Sequence, residues 1–323
     1  MSTPSIAVLG AGSIGVSFAI LFACNGFDVA VYDPIAEALP RAADDLRERL
    51  KQLHDGHALD TDPVEVESRV RLTSELASAV AGANFVQECA PERVELKRTL
   101  LRQAAALTGS EVPLASSSSA IVASRIAHGL DQEVAERILV GHPGNPPYLL
   151  PVIEVVPSPS TVEVVVQQTI QLYRAAGLRP VLVRREVEGF LFNRLQGALL
   201  REAYCLVRDG VASVDDVDEV VRSGLGLRWS FIGPFETADL NTRGGIESHA
   251  AKMGPAYERM GAERGQHDPW TPELVADVTA QRRALLDLDD WDERVRWRDR
   301  QLIALQSARS AGALTASRDA QRV

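Results

Sequence analysis

Up to about residue 185, short apolar runs alternate with segments of helical period. Ile6–Leu9, Val29–Tyr32, Phe85–Cys89, Ile138–Gly141, Val152–Val156 and Pro180–Val183 read as buried strands. Between them, Ile14–Cys24, Ile35–Leu53, Glu92–Ala106 and Thr161–Ala176 carry the 3.6-residue period of helices. Such alternation predicts a mostly parallel, doubly wound sheet with right-handed crossovers. From about Glu186 the pattern changes. Phe190–Arg208, Val214–Ser223, Ile246–Arg259, Thr271–Leu286 and Asp292–Ala308 all read as helices, with Gly and Pro at the joints and no convincing strand. The pattern therefore predicts an α/β domain over 1–185 and a separate all-helical domain over 186–323. Met1–Ser5 and Thr315–Val323 read as frayed ends.

Composition narrows the class. At 323 residues the chain has room for two domains, and 46% hydrophobic content provides a sizeable core. No run of eighteen apolar residues occurs, so no membrane span is expected. The start, Met1-Ser2-Thr3-Pro4, lacks the basic residues and cleavage site of a secretory signal. Cys24, Cys89 and Cys205 are odd in number and have no metal-ligand spacing, which argues against disulfides and a metal site alike. Acidic residues outnumber basic ones by 44 to 34, and the basic residues are scattered, so nucleic acid and anionic membranes are poor partners. The expectation is a soluble, cytoplasmic, two-domain protein.

Five motifs carry candidate chemistry. Ile6-Ala-Val-Leu-Gly10-Ala-Gly12-Ser13-Ile14-Gly15 follows a strand, opens a helix, and precedes Asp33 at the end of the next strand. That is the dinucleotide fingerprint of a Rossmann-type domain. Gly10 permits the tight turn, Gly12 lets the backbone approach a pyrophosphate, and Gly15 allows close helix–strand packing. The phosphates would sit on the positive helix N-terminus. Asp33 would accept from both ribose hydroxyls and repel a 2′-phosphate, favouring NAD over NADP. FAD shares this fingerprint, and a tight turn without a ligand is the plain alternative.

The second motif is Gln87-Glu88-Cys89-Ala90-Pro91-Glu92 with Lys97 beyond it. Its plain reading is a strand running into a helix with acids at its N-terminus. Lys97 is, however, one of only three lysines (Lys51, Lys97, Lys252) in an arginine-rich chain, a hint that a compact point charge is wanted. Third, the serines of Leu114-Ala-Ser-Ser-Ser-Ser-Ala120 end a strand; they are helix caps or ligand contacts at the carboxyl edge of the sheet. Fourth, His142 ends one apolar strand and Glu154 lies within the next. A carboxylate inside an apolar strand needs a partner. A histidine one hairpin away supplies it, making an acid–base dyad. The other five histidines have solvated settings. Fifth, Glu188-Gly189-Phe190-Leu-Phe-Asn193-Arg194 puts a polar Asn in the first turn of a long apolar helix.

Together these residues resemble the 3-hydroxyacyl-CoA dehydrogenase superfamily. Agreement extends furthest with its lambda-crystallin, or L-gulonate 3-dehydrogenase, branch. That branch shares His142-Pro-x-Asn145-Pro-Pro-Tyr148, Gly224-Leu-Gly-Leu-Arg228-Trp-Ser-Phe-Ile-Gly-Pro234, Glu236-Thr, Leu240-Asn241 and Trp297-Arg-Asp299. The resemblance spans nearly the whole chain. It implies that Gly10, Gly12, Ser13, Ile14, Gly15 and Asp33 hold NAD, with Glu92 and Lys97 along the cofactor near the nicotinamide ribose. It implies His142 as general base, kept basic and oriented by Glu154. Ser119 would hydrogen-bond the substrate oxygen, and Asn193, with Asn145 nearby, would position substrate and nicotinamide. Four consecutive serines leave Ser118 as the alternative to Ser119, which is preferred. Gly144 departs from the family's larger side chain and would enlarge the pocket or loosen the loop.

The implied reaction is oxidation of the 3-hydroxyl of a short 3-hydroxy acid, L-gulonate-like, to the 3-keto acid. Arg228 is the candidate clamp for a free carboxylate, since guanidinium binds carboxylate bidentately; an interdomain or dimer salt bridge is its alternative. L-carnitine dehydrogenases also resemble the chain through Tyr148-Leu-Leu-Pro151 and Leu227-Arg-Trp-Ser-Phe231, with Trp229 offering a π-face to a quaternary ammonium. Against carnitine, Asn193 stands where that branch tends to carry an acid. A 3-hydroxybutyryl-CoA substrate is disfavoured by the absence of a basic cluster. The rival of another class is a non-catalytic crystallin-like or NAD-sensing protein, which loss of the His142–Glu154 pair would have marked. A homodimer through the helical domain is expected, by resemblance and because helices such as Phe190–Arg208 offer more apolar surface than one small bundle buries.

Overall fold

Eight apolar segments line up as one sheet: β1 (Ser5–Leu9), β2 (Asp28–Tyr32), β3 (Val70–Thr73), β4 (Phe85–Glu88), β5 (Leu114–Ser116), β6 (Ile138–Pro143), β7 (Val152–Pro157) and β8 (Arg179–Leu182). The structure is a computed structural model that describes residues 4–59, 61–266, 271–295 and 297. The strand order is β3-β2-β1-β4-β5-β6-β7-β8, parallel throughout except for the antiparallel pair β6–β7. Successive residues of β1 serve opposite faces, as the two-residue period of a strand requires. Ile6 and Val8 join Phe18, Phe22, Leu50, Phe85 and Tyr173 in one core, whereas Ala7 and Leu9 join Leu101, Ile126 and Phe190 in the other. Burial on both faces is why the central strands read as continuous apolar runs.

The helix Ser13–Cys24 is apolar almost all round because it is buried along nearly its whole length. Helices Ala38–Asp55 and Glu163–Ala175 bury one stripe against the same core, and Val94–Leu107 buries Leu100, Leu101, Ala104 and Ala105 against the other. After β3 the chain returns to the far side of β1, so the order reverses between β1 and β4. Ligands of open α/β sheets bind at the carboxyl ends of the strands at such a switch point.

Several expectations need amendment. The strand expected to be buried at Pro180–Val183 is an edge strand, Arg179–Leu182, with Val181 and Leu182 each about 40% exposed. Apolar composition cannot distinguish an edge from a centre, because both can pack on one face. β3 and the short helices Pro63–Ser68, Leu76–Val80, Ala123–Ala127 and Gln132–Ala135 were too brief to show a period. Ile35 and Glu92 lie before, not within, their helices, which begin at Ala38 and Val94.

Contacts divide the chain between Arg201 and Glu202, inside the helix Phe192–Arg208, whereas the composition changes near Glu186. The second unit comprises helices Val214–Val220, Gly226–Trp229, Pro234–Asn241, Gly245–Glu263 and Pro272–Leu285, with a π-helical turn at Val221–Leu225. The helix expected over Val214–Ser223 thus gives way at Val221 to this wider turn. No strand occurs in this unit among the described residues. Its interior is tied by charge: fully buried Asp239 meets Arg282 and Arg283, and Glu236 meets Arg282 and Arg294. Of the helix expected at Asp292–Ala308, only residues up to 295 and Trp297 are described; the rest, with Thr315–Val323 and Met1–Thr3, lies outside the described residues. No described helix is long and apolar enough to cross a membrane.

Candidate active site

The turn after β1 is built for close approach. Gly10 has φ +120°, and a Cβ there would stand 2.8 Å from the Cys89 carbonyl oxygen; at Gly15 it would stand 1.8 Å from the Gly10 carbonyl oxygen. A Cβ at Gly12 would meet nothing within 4 Å, so this stretch of backbone is open to a ligand. No side chain caps the helix Ser13–Cys24, which leaves its first N–H groups free for an anion. Asp33 accepts hydrogen bonds from the Ala11 N–H (Oδ2) and the Ile35 N–H (Oδ1), both at 3.0 Å. It borders a cavity of about 370 Å³ with Gly12, Arg41 and Asp45. An open backbone cradle, an uncapped helix and an acid at the ribose position fit NAD. The Ser13 hydroxyl accepts from Arg49 at 2.9 Å, which leaves only its backbone N–H for that cradle. Ile14 lies on the wall of a neighbouring cavity.

That cavity, of about 420 Å³, is lined by Ile14, Ser117, Ser119, His142, Pro143, Asn145, Leu150, Phe192, Asn193 and Gln196. The antiparallel register of β6 and β7 sets His142 directly opposite Glu154. Both are buried, and His142 Nδ1 lies 2.7 Å from Glu154 Oε2. The other carboxylate oxygen, Oε1, accepts from the Leu191 N–H at 2.6 Å and the Phe192 N–H at 3.0 Å. Gly189 (φ +76°) and Phe190 (φ +49°) deliver those two groups through a left-handed turn. Such a backbone is costly at a fully buried Phe and persists because its surroundings hold it. An ionised carboxylate can only accept, so the Nδ1 that faces Glu154 Oε2 is assigned the ring proton. Nε2 is then an acceptor, 3.1 Å from Ser119 Oγ. Asn193 Nδ2 donates to the Ser119 carbonyl at 3.2 Å.

The geometry separates the two serines. Ser119 faces His142, whereas Ser118 is buried and its hydroxyl donates to Glu92 while accepting from the Ile121 N–H at 2.7 Å. Gly144 neither enlarges the pocket nor loosens the loop: a Cβ there would stand 3.0 Å from Leu150 Cβ and 3.1 Å from Val152 Cγ1. Its missing side chain lets Leu150 and Val152 pack, and its N–H bonds the Val152 carbonyl at 2.9 Å.

Beneath the serine run the second motif forms a charged frame, a pairing of its Glu88, Glu92 and Lys97 that spacing alone did not reveal. Fully buried Lys97 donates to both Glu88 oxygens at 3.0 and 3.1 Å and to the Ala90 carbonyl at 2.9 Å, and it lies 3.4 Å from Glu92. Ser116 donates to Glu88. Burial pushes the Glu88 carboxyl up, with the Lys97 charge and the Ser116 hydrogen bond working against it. For Glu92, burial also acts upward, but Ser118, Lys97 and the Ala120 N–H outweigh it and hold the carboxyl below its usual range. The buried Lys97 ammonium therefore joins the buried Glu88 carboxylate to the partly exposed Glu92. The available signal was Glu88, an acid ending an apolar strand, to which the logic used for Glu154 also applies. Gln196 gave no signal beyond its position one helical turn after Asn193.

Arg228 belongs to the second unit, in the helix Gly226–Trp229. It lines a cavity of about 490 Å³ with Trp229, Phe235, Thr237 and His249. Its Nε is buried without a hydrogen-bond partner, and no carboxylate among the described residues pairs with it. The salt-bridge alternative thus finds no acid among those residues.

Known proteins agree with this architecture. A lambda-crystallin homolog of Bos taurus is 42% identical over 257 residues, covering 79% of this chain and 79% of its own length. An L-carnitine dehydrogenase of Pseudomonas syringae pv. syringae is 38% identical over 279 residues, covering 84% of this chain and 82% of its own. Among solved structures, 3-hydroxybutyryl-CoA dehydrogenase of Escherichia coli K12 superposes with a TM-score of 0.64 at 28% identity, over 80% of this chain and 53% of that one. The NAD-binding domain of 3-hydroxyacyl-CoA dehydrogenase matches residues 5–187, and the C-terminal domain of the same enzymes matches residues 189–284. With both family domains in order and a nucleotide cradle beside a histidine–carboxylate pair, the chain belongs to the NAD-dependent 3-hydroxyacyl-CoA dehydrogenase family.

Proposed function

We propose that the protein oxidises the 3-hydroxyl of a short 3-hydroxy acid, L-gulonate-like, to the 3-keto acid, with His142 as the general base. The observation that carries this reading is the line Glu154–His142–Ser119, with its 2.7 and 3.1 Å contacts at the cavity wall. When bound, NAD supplies the hydride acceptor. His142 Nε2 takes the proton of the substrate hydroxyl, and Glu154 stabilises the imidazolium that results. The Ser119 hydroxyl and Asn193 meet the oxyanion as charge develops on it. Glu92, whose side chain is partly exposed, is our assignment nearest the nicotinamide ribose, and Asn145 a further substrate contact; Lys97, expected along the cofactor, is instead buried behind Glu92 and held by Glu88 and the Ala90 carbonyl. The L-gulonate-like substrate is carried over from the resemblance to the lambda-crystallin branch; lambda-crystallins are among the relatives of this chain.

Arg228 is our assignment for the substrate carboxylate, supported by its unpartnered buried Nε. The L-carnitine relative and the exposed face of Trp229 favour a second reading, a quaternary-ammonium hydroxy acid. We also propose a homodimer, supported by the helix Phe192–Arg208. It buries no residue and leaves Leu195 and Tyr204 66% and 76% exposed. Three free cysteines support a reducing, cytoplasmic setting.

The test is NADH formation with L-gulonate, 3-hydroxybutyrate, L-carnitine and 3-hydroxybutyryl-CoA, on the wild type, His142→Gln and Arg228→Met. L-Gulonate turnover that His142→Gln abolishes is expected, with Arg228→Met raising KM for the free acids. Preference for the CoA thioester, or full activity of His142→Gln, would overturn the reading.

A further inference from the structure

The catalytic cavity carries a chemical bias that the dyad does not use. Among the described residues its only ionisable lining group is His142, already engaged by Glu154. The remaining polar lining is uncharged: Ser117, Ser119 and the three carboxamides of Asn145, Asn193 and Gln196. Asn193 commits its N–H to the Ser119 carbonyl. Asn145 and Gln196 are exposed residues at the cavity rim whose carboxamides make no hydrogen bond with any described residue, so their donors and acceptors are open to solvent or a ligand.

A group that donates and accepts at once is the complement of such a carboxamide, and an aliphatic hydroxyl is that group. A trimethylammonium offers neither function and would strip water from both amides without replacing it. It would also find no carboxylate on this wall, only the Phe192 ring. Pro143 and Leu150 supply the apolar side against which the C–H face of a carbon chain would lie.

Position narrows the role. Gln196 follows Asn193 by three residues on the helix Phe192–Arg208, so the two side chains share a face. The rise between them is about 4.5 Å. Asn193 reaches Ser119, next to the His142 nitrogen where the reacting hydroxyl would sit. Gln196 therefore stands one helical turn from the place of the reacting hydroxyl, on the wall of the same cavity.

We infer that Gln196 is a specificity-determining residue that reads hydroxyls on the substrate chain past the reacting carbon, selecting polyhydroxylated 3-hydroxy acids over quaternary-ammonium or unsubstituted ones. The inference rests on the function proposed above. Gln196→Leu keeps the length of the side chain and removes its hydrogen bonds, and Gln196→Glu adds the anion that an ammonium would want. Steady-state kinetics with NAD should show the kcat/KM ratio of L-gulonate to 3-hydroxybutyrate falling about tenfold in Gln196→Leu, the scale of one hydrogen bond. The ratio of L-carnitine to L-gulonate should rise in Gln196→Glu. Calorimetric titration of NAD-loaded His142→Gln with L-gulonate reads affinity without turnover, and adding Gln196→Leu should weaken it by a similar factor. Absence of turnover with every acid, together with a tenfold weaker L-gulonate titration, overturns the proposed function alone. A ratio that Gln196→Leu leaves unchanged, or L-gulonate binding that is absent or insensitive to it, overturns the role of Gln196.

Discussion

Replacing Glu154 by Gln keeps the volume of the side chain and exchanges one acceptor oxygen for an NH2 donor. In the native site Oε2 faces His142 Nδ1 at 2.7 Å, while Oε1 takes the Leu191 and Phe192 N–H groups at 2.6 and 3.0 Å. The amide can be placed in two ways. If its NH2 faces Leu191 and Phe192, two backbone donors lose their acceptor, at about 1–3 kcal/mol each. If its NH2 faces His142, both backbone bonds survive, but Nδ1 must become an acceptor and the ring proton moves to Nε2. The second arrangement is the cheaper one. It points an N–H at the substrate where a lone pair is needed. The expected loss in kcat is about 10³–10⁴-fold, the scale for a wrong-tautomer change in a histidine–carboxylate pair. Single-turnover absorbance of NADH reads the chemical step, and a thermal melt run alongside should move by only a few degrees. A variant within tenfold of wild-type kcat, with an unchanged melt, would refute the claim that Glu154 sets the tautomer of His142.

Asp33 should make NAD the better cofactor, because a carboxylate at the end of β2, beside the open glycine turn, would repel a 2′-phosphate; Asp33→Ala should narrow the kcat/KM gap, and equal wild-type turnover with NADP would sink this assignment. Lys97→Met should leave Glu88 as an uncompensated buried charge and cost about 3–5 kcal/mol in chemical denaturation. The double variant Glu88→Gln with Lys97→Met should recover part of that loss, whereas simple additivity would mean that the two do not act as a pair. Gly141→Ala would put a Cβ 2.0 Å from the Tyr173 hydroxyl, which donates to Gln87 at 2.7 Å, so a loss of about 1–3 kcal/mol is expected. Tyr173→Phe in the double variant should restore only part of it, because the ring carbon Cζ still lies 2.9 Å from the Cβ and Gln87 loses its donor, and a neutral Gly141→Ala would show that the strand shifts freely.

Periodicity and local chemistry were enough to determine a nucleotide-binding sheet followed by helices, and a nucleotide cradle at Gly10–Gly15 with Asp33. Those features are local: a strand, a turn without side chains, a helix and an acid at the next strand end all fall within one stretch of chain. His142 and Glu154 were also legible, because a carboxylate in an apolar strand demands a partner and the nearest hairpin neighbour carries one. What the sequence left open depended on distances between segments that no period encodes. Ser119 rather than Ser118 faces His142 because the Glu88–Lys97–Glu92 frame grips Ser116 and Ser118 from below. Gly144 resembled a gap in the pocket, yet packing against Leu150 and Val152 fills the space beside it. Val181 and Leu182 read as core and lie on an edge, since only the strand order decides whether another strand follows. Gln196 is one polar residue among many on a helix until the fold sets that helix turn beside the dyad. Local pattern fixes which residues can form an element; the tertiary structure alone decides which of their side chains share a cavity, because that proximity is a property of the packed layers and not of spacing along the chain.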